Sequence, residues 1–163
     1  MDASIYDIED LLLSAMKAEQ DSNHIYSSIA DKVDNYLLKD KFNFLAGEEQ
    51  RHYTYVEDVY KNHFPNKTVS LPEKTKVPLP EITMNEDTPV STIVTQAMES
   101  EQAAHEFYQA MATRFTNDGK IQSMLLYFAD MELGHYKLLE IEQQAMQRFE
   151  EADVYWPMVH AGP

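Results

Sequence analysis

Two short stretches of this sequence have residue types and spacing that could do chemistry together: Glu48-Glu49-Gln50-Arg51-His52 and Glu132-Leu133-Gly134-His135. Each contains Glu-x-x-His. Residues three apart on a helix lie on one face, so each pair aims a carboxylate and an imidazole at one point in space. That is a metal-ligating geometry. A lone Glu-x-x-His in a chain this rich in Glu is weak, and the matched surroundings of the two copies are what strengthen it. Asn35 and Asp118, both good N-cap residues, stand equally far upstream of Glu49 and Glu132, each at the head of an amphipathic run.

The segments before these also repeat. Ala18-Glu19, then Tyr26 and Ala30, can be laid over Ser100-Glu101, then Tyr108 and Ala112. Each half therefore reads as a helix with one Glu followed by a helix with Glu-x-x-His, which implies a duplicated helical hairpin. The inward polar groups are then Glu19, Glu49, His52, Glu101, Glu132 and His135. Each buried charge costs several kcal/mol (~3–5) if left uncompensated. Shared protons, enclosed water or metal could each relieve that cost. Two divalent ions do so by charge balance, because four carboxylates neutralise them and each His adds a neutral nitrogen. Tyr26 and Tyr108 fall two turns after Glu19 and Glu101, where either core packing or a hydrogen bond to a ligand carboxylate accounts for them.

Four helices must position these groups, and the periodicity predicts them at about 4–33, 36–63, 89–115 and 119–151. Ser4 is the expected first N-cap, and Glu19 interrupts an apolar face running from Ile5 through Leu11, Leu12, Met16 and Ile29. In the second helix Glu49, His52 and Val56 share the inward face, with Glu48 and Arg51 nearer the flank. That helix must fail before Pro65, since proline disfavours helical geometry in its predecessor. Residues 65–88, with Pro72, Pro78 and Pro80, read as a long extended crossover rather than a linker. Such a connection lets the second and third helices of a bundle run parallel. Thr88-Pro89 is the expected start of helix three, as N-cap and N1. In that helix Glu101 breaks a stripe of Ile93, Ala97, Ala104, Tyr108, Met111 and Phe115. Residues 152–163 form a tail too short for an element of its own, expected to pack on the bundle or on a second subunit.

Composition agrees with one all-α domain. The chain has 163 residues, 44% of them apolar, and only four Gly. That is enough for one well-buried core and short for two. A formal charge of −15 argues against non-specific binding to nucleic acid or to an anionic membrane surface. The absence of Cys removes disulfides, thiolate zinc sites and cysteine-ligated iron–sulfur or rubredoxin-type centres from these residues. No basic leader or long apolar run is evident, and a cytoplasmic location is the expectation.

Over residues 4 to 151 the sequence resembles the ferritin-like superfamily and, within it, the rubrerythrin-like group. The resemblance rests on all six Glu and His positions together with the two tyrosines. It implies a four-helix bundle with the long crossover between helices two and three, holding two iron ions, with manganese or zinc as alternatives. It also implies Glu19 and Glu101 as terminal ligands, Glu49 and Glu132 as bridging ones, and His52 and His135 as one ligand each. Two features depart from rubrerythrin. The cysteine-rich rubredoxin domain that usually delivers electrons has no counterpart here, so an external donor is expected. Rubrerythrins also carry a further Glu one turn after the helix-three ligand, between which and a His an iron moves; here Ala104 stands there, and the sliding mechanism is not implied. His105 is next to it, either bonded outside the ligand set or facing solvent, or else a ligand. His24, His63 and His160 lack the paired spacing and are expected at the surface.

The leading functional expectation is a di-iron oxidoreductase, of peroxidase or ferroxidase type, that acts on O2 or H2O2 as a homodimer. Iron storage or detoxification is a second reading. A non-enzymatic bundle, with a hydrogen-bonded Glu/His network or structural zinc, is a third.

Overall fold

The computed structural model describes residues 1–85 and 88–155, and the side chains of all of these except 147 and 149–155. The described residues form four α-helices: α1 (Ile8–Lys32), α2 (Tyr36–His63), α3 (Val90–Ala112) and α4 (Gly119–Tyr155). No strand occurs among the described residues. α1 packs chiefly on α2 and α3 chiefly on α4, so the molecule is two helical hairpins joined by the crossover.

The helix starts follow local chemistry, with two shifts from expectation. Asn35 caps α2, its side chain accepting from the Leu38 amide at 3.1 Å. Asp118 caps α4 in the same way, accepting from the amides of Lys120 and Ile121 at 3.2 and 3.1 Å. Ser4, however, does not cap α1. It lies in a separate 3-10 turn, Ala3–Ile5, capped by Asp2, and the chain is extended at Tyr6 before α1 begins behind Asp7. The guanidinium of Arg114 holds that turn down by donating to the carbonyls of Ala3 and Tyr6. A distant residue thus decides where the first helix begins. At α3 the cap is Pro89 rather than Thr88, whose hydroxyl instead accepts from the Asn85 amide at 2.9 Å. α3 ends at Ala112, and a 3-10 turn, Thr113–Phe115, completes the expected segment. Helix α4 continues past 151 to Tyr155, and what was expected of the tail beyond it, His160 included, lies outside the described residues.

The crossover is irregular but packed. Val77 is fully buried, and Val69, Leu71 and Leu79 pack against the same apolar cluster, while Ile82 and Met84 pack against another. The interior therefore consists of two apolar clusters, one around Leu12, Val56, Met111 and Phe128, the other around Ile29, Phe42, Leu45 and Ile93. Along each helix the boundary between them falls where the Glu and His residues stand. Among the described residues no helix is long and apolar enough to cross a membrane.

Candidate metal centre

All six polar residues singled out by the repeat meet in the layer between the apolar clusters. Glu19 comes from α1, Glu49 and His52 from α2, Glu101 from α3, Glu132 and His135 from α4, and none is more than 4% exposed. Helical spacing does the aiming. Glu49 and His52 point from one turn of α2, Glu132 and His135 from one turn of α4, and the short Glu side chains of α1 and α3 close the sides.

The donor atoms sort into two overlapping groups. Glu19, Glu49, His52 and Glu132 offer atoms all within 4.8 Å of one another, and so do Glu49, Glu101, Glu132 and His135. Glu49 and Glu132 belong to both groups, Glu19 and Glu101 to one each. The histidines face their groups through Nδ1: that of His52 lies 2.9 Å from Glu132, 3.4 Å from Glu49 and 3.5 Å from Glu19. His135 mirrors this, at 3.1 Å from Glu132, 3.2 Å from Glu49 and 3.6 Å from Glu101. The two rings are nearly parallel, 5.9 Å apart.

Of these close approaches between histidine and carboxylate only one, His135 Nδ1 to Glu132 Oε2 at 3.1 Å, is a hydrogen bond. Glu49 Oε1, Glu132 Oε1 and both nitrogens of His52 are buried with no hydrogen-bond partner, although His52 Nδ1 and Glu132 Oε1 are close. These four unpartnered atoms face the space between the side chains, and a buried polar atom left so is costly unless something else satisfies it. Carboxylate oxygens and imidazole nitrogens in two such groups fit a pair of divalent first-row ions. The electrostatics agree. Burial, with the charges of Glu132 and Glu49 added, pushes the Glu19 carboxyl well above its usual range, and burial with the Glu101 charge raises Glu132. Burial pulls the other way on His52, but the Glu132, Glu19 and Glu49 carboxylates outweigh it and push its pKa up to about 12. His135 is raised in the same manner by Glu101, Glu132 and Glu49. Four carboxyl groups crowd one buried layer and oppose one another's ionisation, a cost that a bound cation would relieve.

The tyrosines resolve in favour of hydrogen bonding, and they cross between the halves. Tyr26 on α1 donates to Glu101 on α3, and Tyr108 on α3 donates to Glu19 on α1. Burial and the neighbouring carboxylate charges raise both phenols well above their ordinary range, so they remain donors. Around His52 the wall is aromatic, with Phe128 at 4.2 Å between ring centroids and Tyr108 edge-on at 6.4 Å.

His105 stands outside both donor groups. Its Nδ1 bonds the Ala129 carbonyl at 2.6 Å, and Asn23, at the corresponding place in the first half, donates to the Ala46 carbonyl at 2.7 Å. Ala46 and Ala129 each lie three residues before a site Glu, so the pair pins the two Glu-x-x-His turns to the neighbouring helices. Asn and His differ in type, and nothing but their equal offset from Glu19 and Glu101 marks them in the sequence. Glu48 is buried more deeply than a flank position implies, and its carboxylate pairs with Arg51. Ala104 borders the site with no ligating atom. His24 and His63 are exposed.

Helices and site together define a ferritin-like bundle with a buried carboxylate–histidine cluster of the composition that di-iron proteins use. The chain belongs to the rubrerythrin family, whose sequence model matches residues 10–143. It is similar in structure to a hypothetical protein from Pyrococcus furiosus, with a TM-score of 0.78 and 31% identity over 90% of this chain and 94% of that one. No curated protein matches it.

Proposed function

We propose that the protein is a di-iron oxidoreductase that reduces H2O2 or O2. One observation carries this reading: two donor groups that share Glu49 and Glu132, with one further Glu and one His apiece. Glu19 and His52 would hold one ion, Glu101 and His135 the other, and Glu49 and Glu132 would lie between them. Loaded with two Fe(II), the site supplies two one-electron equivalents, enough with two protons to convert one H2O2 into two waters. Six protein ligands on two ions leave coordination positions free for the oxidant.

The chain's own residues perform the rest. Tyr26 and Tyr108 fix one oxygen each of Glu101 and Glu19, leaving the other oxygen to face inward. The apolar clusters on both sides of the layer keep bulk water out and strengthen each charge interaction within it. The 163 residues contain no Cys for a second centre, so electrons to restore the reduced state would come from a donor outside them. The deciding experiment loads the protein anaerobically with two Fe(II) and adds H2O2 in steps. Oxidation of both irons by one H2O2 supports the proposal. Two tightly bound irons that stay reduced in excess peroxide or air overturn it.

A further inference from the structure

A cavity of about 380 Å³ opens between α1, the crossover and Ser100 of α3, bordered by Lys17, His24, Glu73 and Lys74. Beneath it lies a second cavity of about 20 Å³, whose lining includes Glu19, Glu49, Glu101 and Glu132. Ala18, Ser22, Ser100 and Leu79 line both, and Ala104 joins them in the inner one. The two cavities thus adjoin along four shared side chains, and the inner one borders the carboxylate cluster.

Their positions have a common cause. Ala18 and Ser22 stand one before and three after Glu19, and Ser100 and Ala104 stand one before and three after Glu101. Those two offsets put both residues on the same flank of a helix. Each half of the repeat therefore places two small side chains beside its own Glu. The space they leave is roofed by Leu79 of the crossover, which is half-buried. A cavity near 20 Å³ holds about one water-sized molecule, given polar partners. Such partners are at hand: Ser22 and Ser100 line it, and the unpartnered, buried Oε1 atoms of Glu49 and Glu132 belong to residues that line it too.

We propose that this passage is the access route to the metal centre and that its width, set by Leu79 over Ala18, Ser22, Ser100 and Ala104, selects the oxidant by size. H2O2 and O2 pass, and organic hydroperoxides do not. The selection among oxidants rests on the redox reading above; the route itself does not.

Two measurements separate the two. In zinc-loaded protein under dissolved O2, paramagnetic relaxation of methyl groups reports where O2 goes without any redox chemistry. The methyls of Ala18, Leu79 and Ala104 should relax several-fold more strongly than those of Ala103 and Ala110, which are likewise half-buried but line neither cavity. Ala104→Leu, and independently Ser22→Leu, should abolish the excess at the remaining passage methyls. In iron-loaded protein the same variants, with two irons still bound, should react with H2O2 at least tenfold more slowly. Leu79→Ala should raise the rate with cumene hydroperoxide tenfold or more relative to H2O2. Filled variants that keep both the O2 relaxation and the H2O2 rate of the parent overturn the route, and a parent that already takes cumene hydroperoxide as fast as H2O2 overturns the size selection. A parent that shows the relaxation pattern but never oxidises its irons keeps the route and loses the oxidoreductase reading.

Discussion

The Tyr26 hydroxyl, on α1, donates to the carboxylate of Glu101, on α3, in the opposite half of the repeat. Tyr108 returns the bond to Glu19. Each hairpin therefore orients a carboxylate of the other, and neither half of the site is complete by itself. Removing one hydroxyl leaves a buried carboxylate oxygen without its donor and free to rotate off the metal position. Tyr26→Phe and Tyr108→Phe should each weaken binding of at least one ion about 10–100-fold, the usual cost of losing a bond to a ligand. Competition against a chelator of known affinity checks this. Unchanged affinity in both variants would show that the tyrosines only fill space.

The sharing of Glu49 and Glu132 predicts unequal outcomes for two apparently similar substitutions. Glu19→Ala removes a donor from one group only, so the purified, zinc-loaded variant should retain close to one ion per chain. Glu132→Ala removes a donor from both groups and should retain close to none. Elemental analysis after exhaustive dialysis measures each. Equal losses in the two variants would contradict a shared arrangement.

The shifted titrations set how the metal-free protein responds to pH. His52 holds its proton up to about 12 in the fold against an ordinary 6.5, so its contribution to stability is complete below 6.5 and declines as pH rises toward 12. Glu19 and Glu132 are raised above an ordinary 4.5, so they too favour the fold at low pH and oppose it once ionised. Both act in one direction: metal-free stability should fall from pH 6 to pH 8.5. Metal binding replaces these protons and becomes tighter as pH rises. The gap in Tm between zinc-loaded and chelator-treated protein should therefore widen over that range. A gap that narrows would mean the cluster is not the titrating element.

Much of this centre is legible in the sequence because helical periodicity is local. Glu49 with His52, and Glu132 with His135, need nothing beyond a three-residue spacing to share a face, and duplication supplies Glu19 and Glu101. What depends on the packing of distant segments is less legible. The partner of each tyrosine could not be read, because two turns of separation place Tyr26 near its own Glu19 as readily as near Glu101. Asn23 and His105 do the same task with different side chains, so residue identity hides their correspondence. The start of α1 moved from Ser4 to Ile8 because Arg114, far along the chain, binds the carbonyls of the preceding turn. Local propensity holds no trace of that contact.

Gly134 sits inside the second Glu-x-x-His turn, exposed on α4, and a Cβ placed there meets no heavy atom within 4 Å. Its only structural effect is the extra backbone freedom that a helix must remove. Gly134→Ala should stabilise the fold by about 0.5–1 kcal/mol, a rise in Tm of roughly 1–4 °C for a chain of this size. Metal content should not change, because Glu132 and His135 keep their face. A calorimetric scan of the zinc-loaded variant measures the first and elemental analysis the second. Loss of stability would mean that the turn needs a conformation only glycine provides.

Glu9 anchors the near end of the crossover to α1. Its carboxylate accepts from the Tyr60 hydroxyl at 2.9 Å and binds Lys67 Nζ at 2.5 Å, while Asp10 holds Lys76 at 2.9 Å, one residue before buried Val77. These bonds, and Val77 itself, determine where Leu79 comes to rest over the passage. The bond from Lys67, then that from Tyr60, holds the Glu9 carboxyl below its ordinary value. A carboxylate of depressed pKa contributes stability above its unfolded value of 4.5 and loses it as pH falls through the lower folded value. Acid should therefore loosen the crossover before it unfolds the helices. Glu9→Gln combined with Asp10→Asn should reproduce that loosening at neutral pH. Hydrogen exchange at the Lys67 and Leu79 amides, which donate to the Phe64 and Val77 carbonyls, should accelerate in the double variant, with α2 and α4 core amides unchanged. Unchanged exchange at both amides would assign the hold on Leu79 to the apolar packing of Val77 alone.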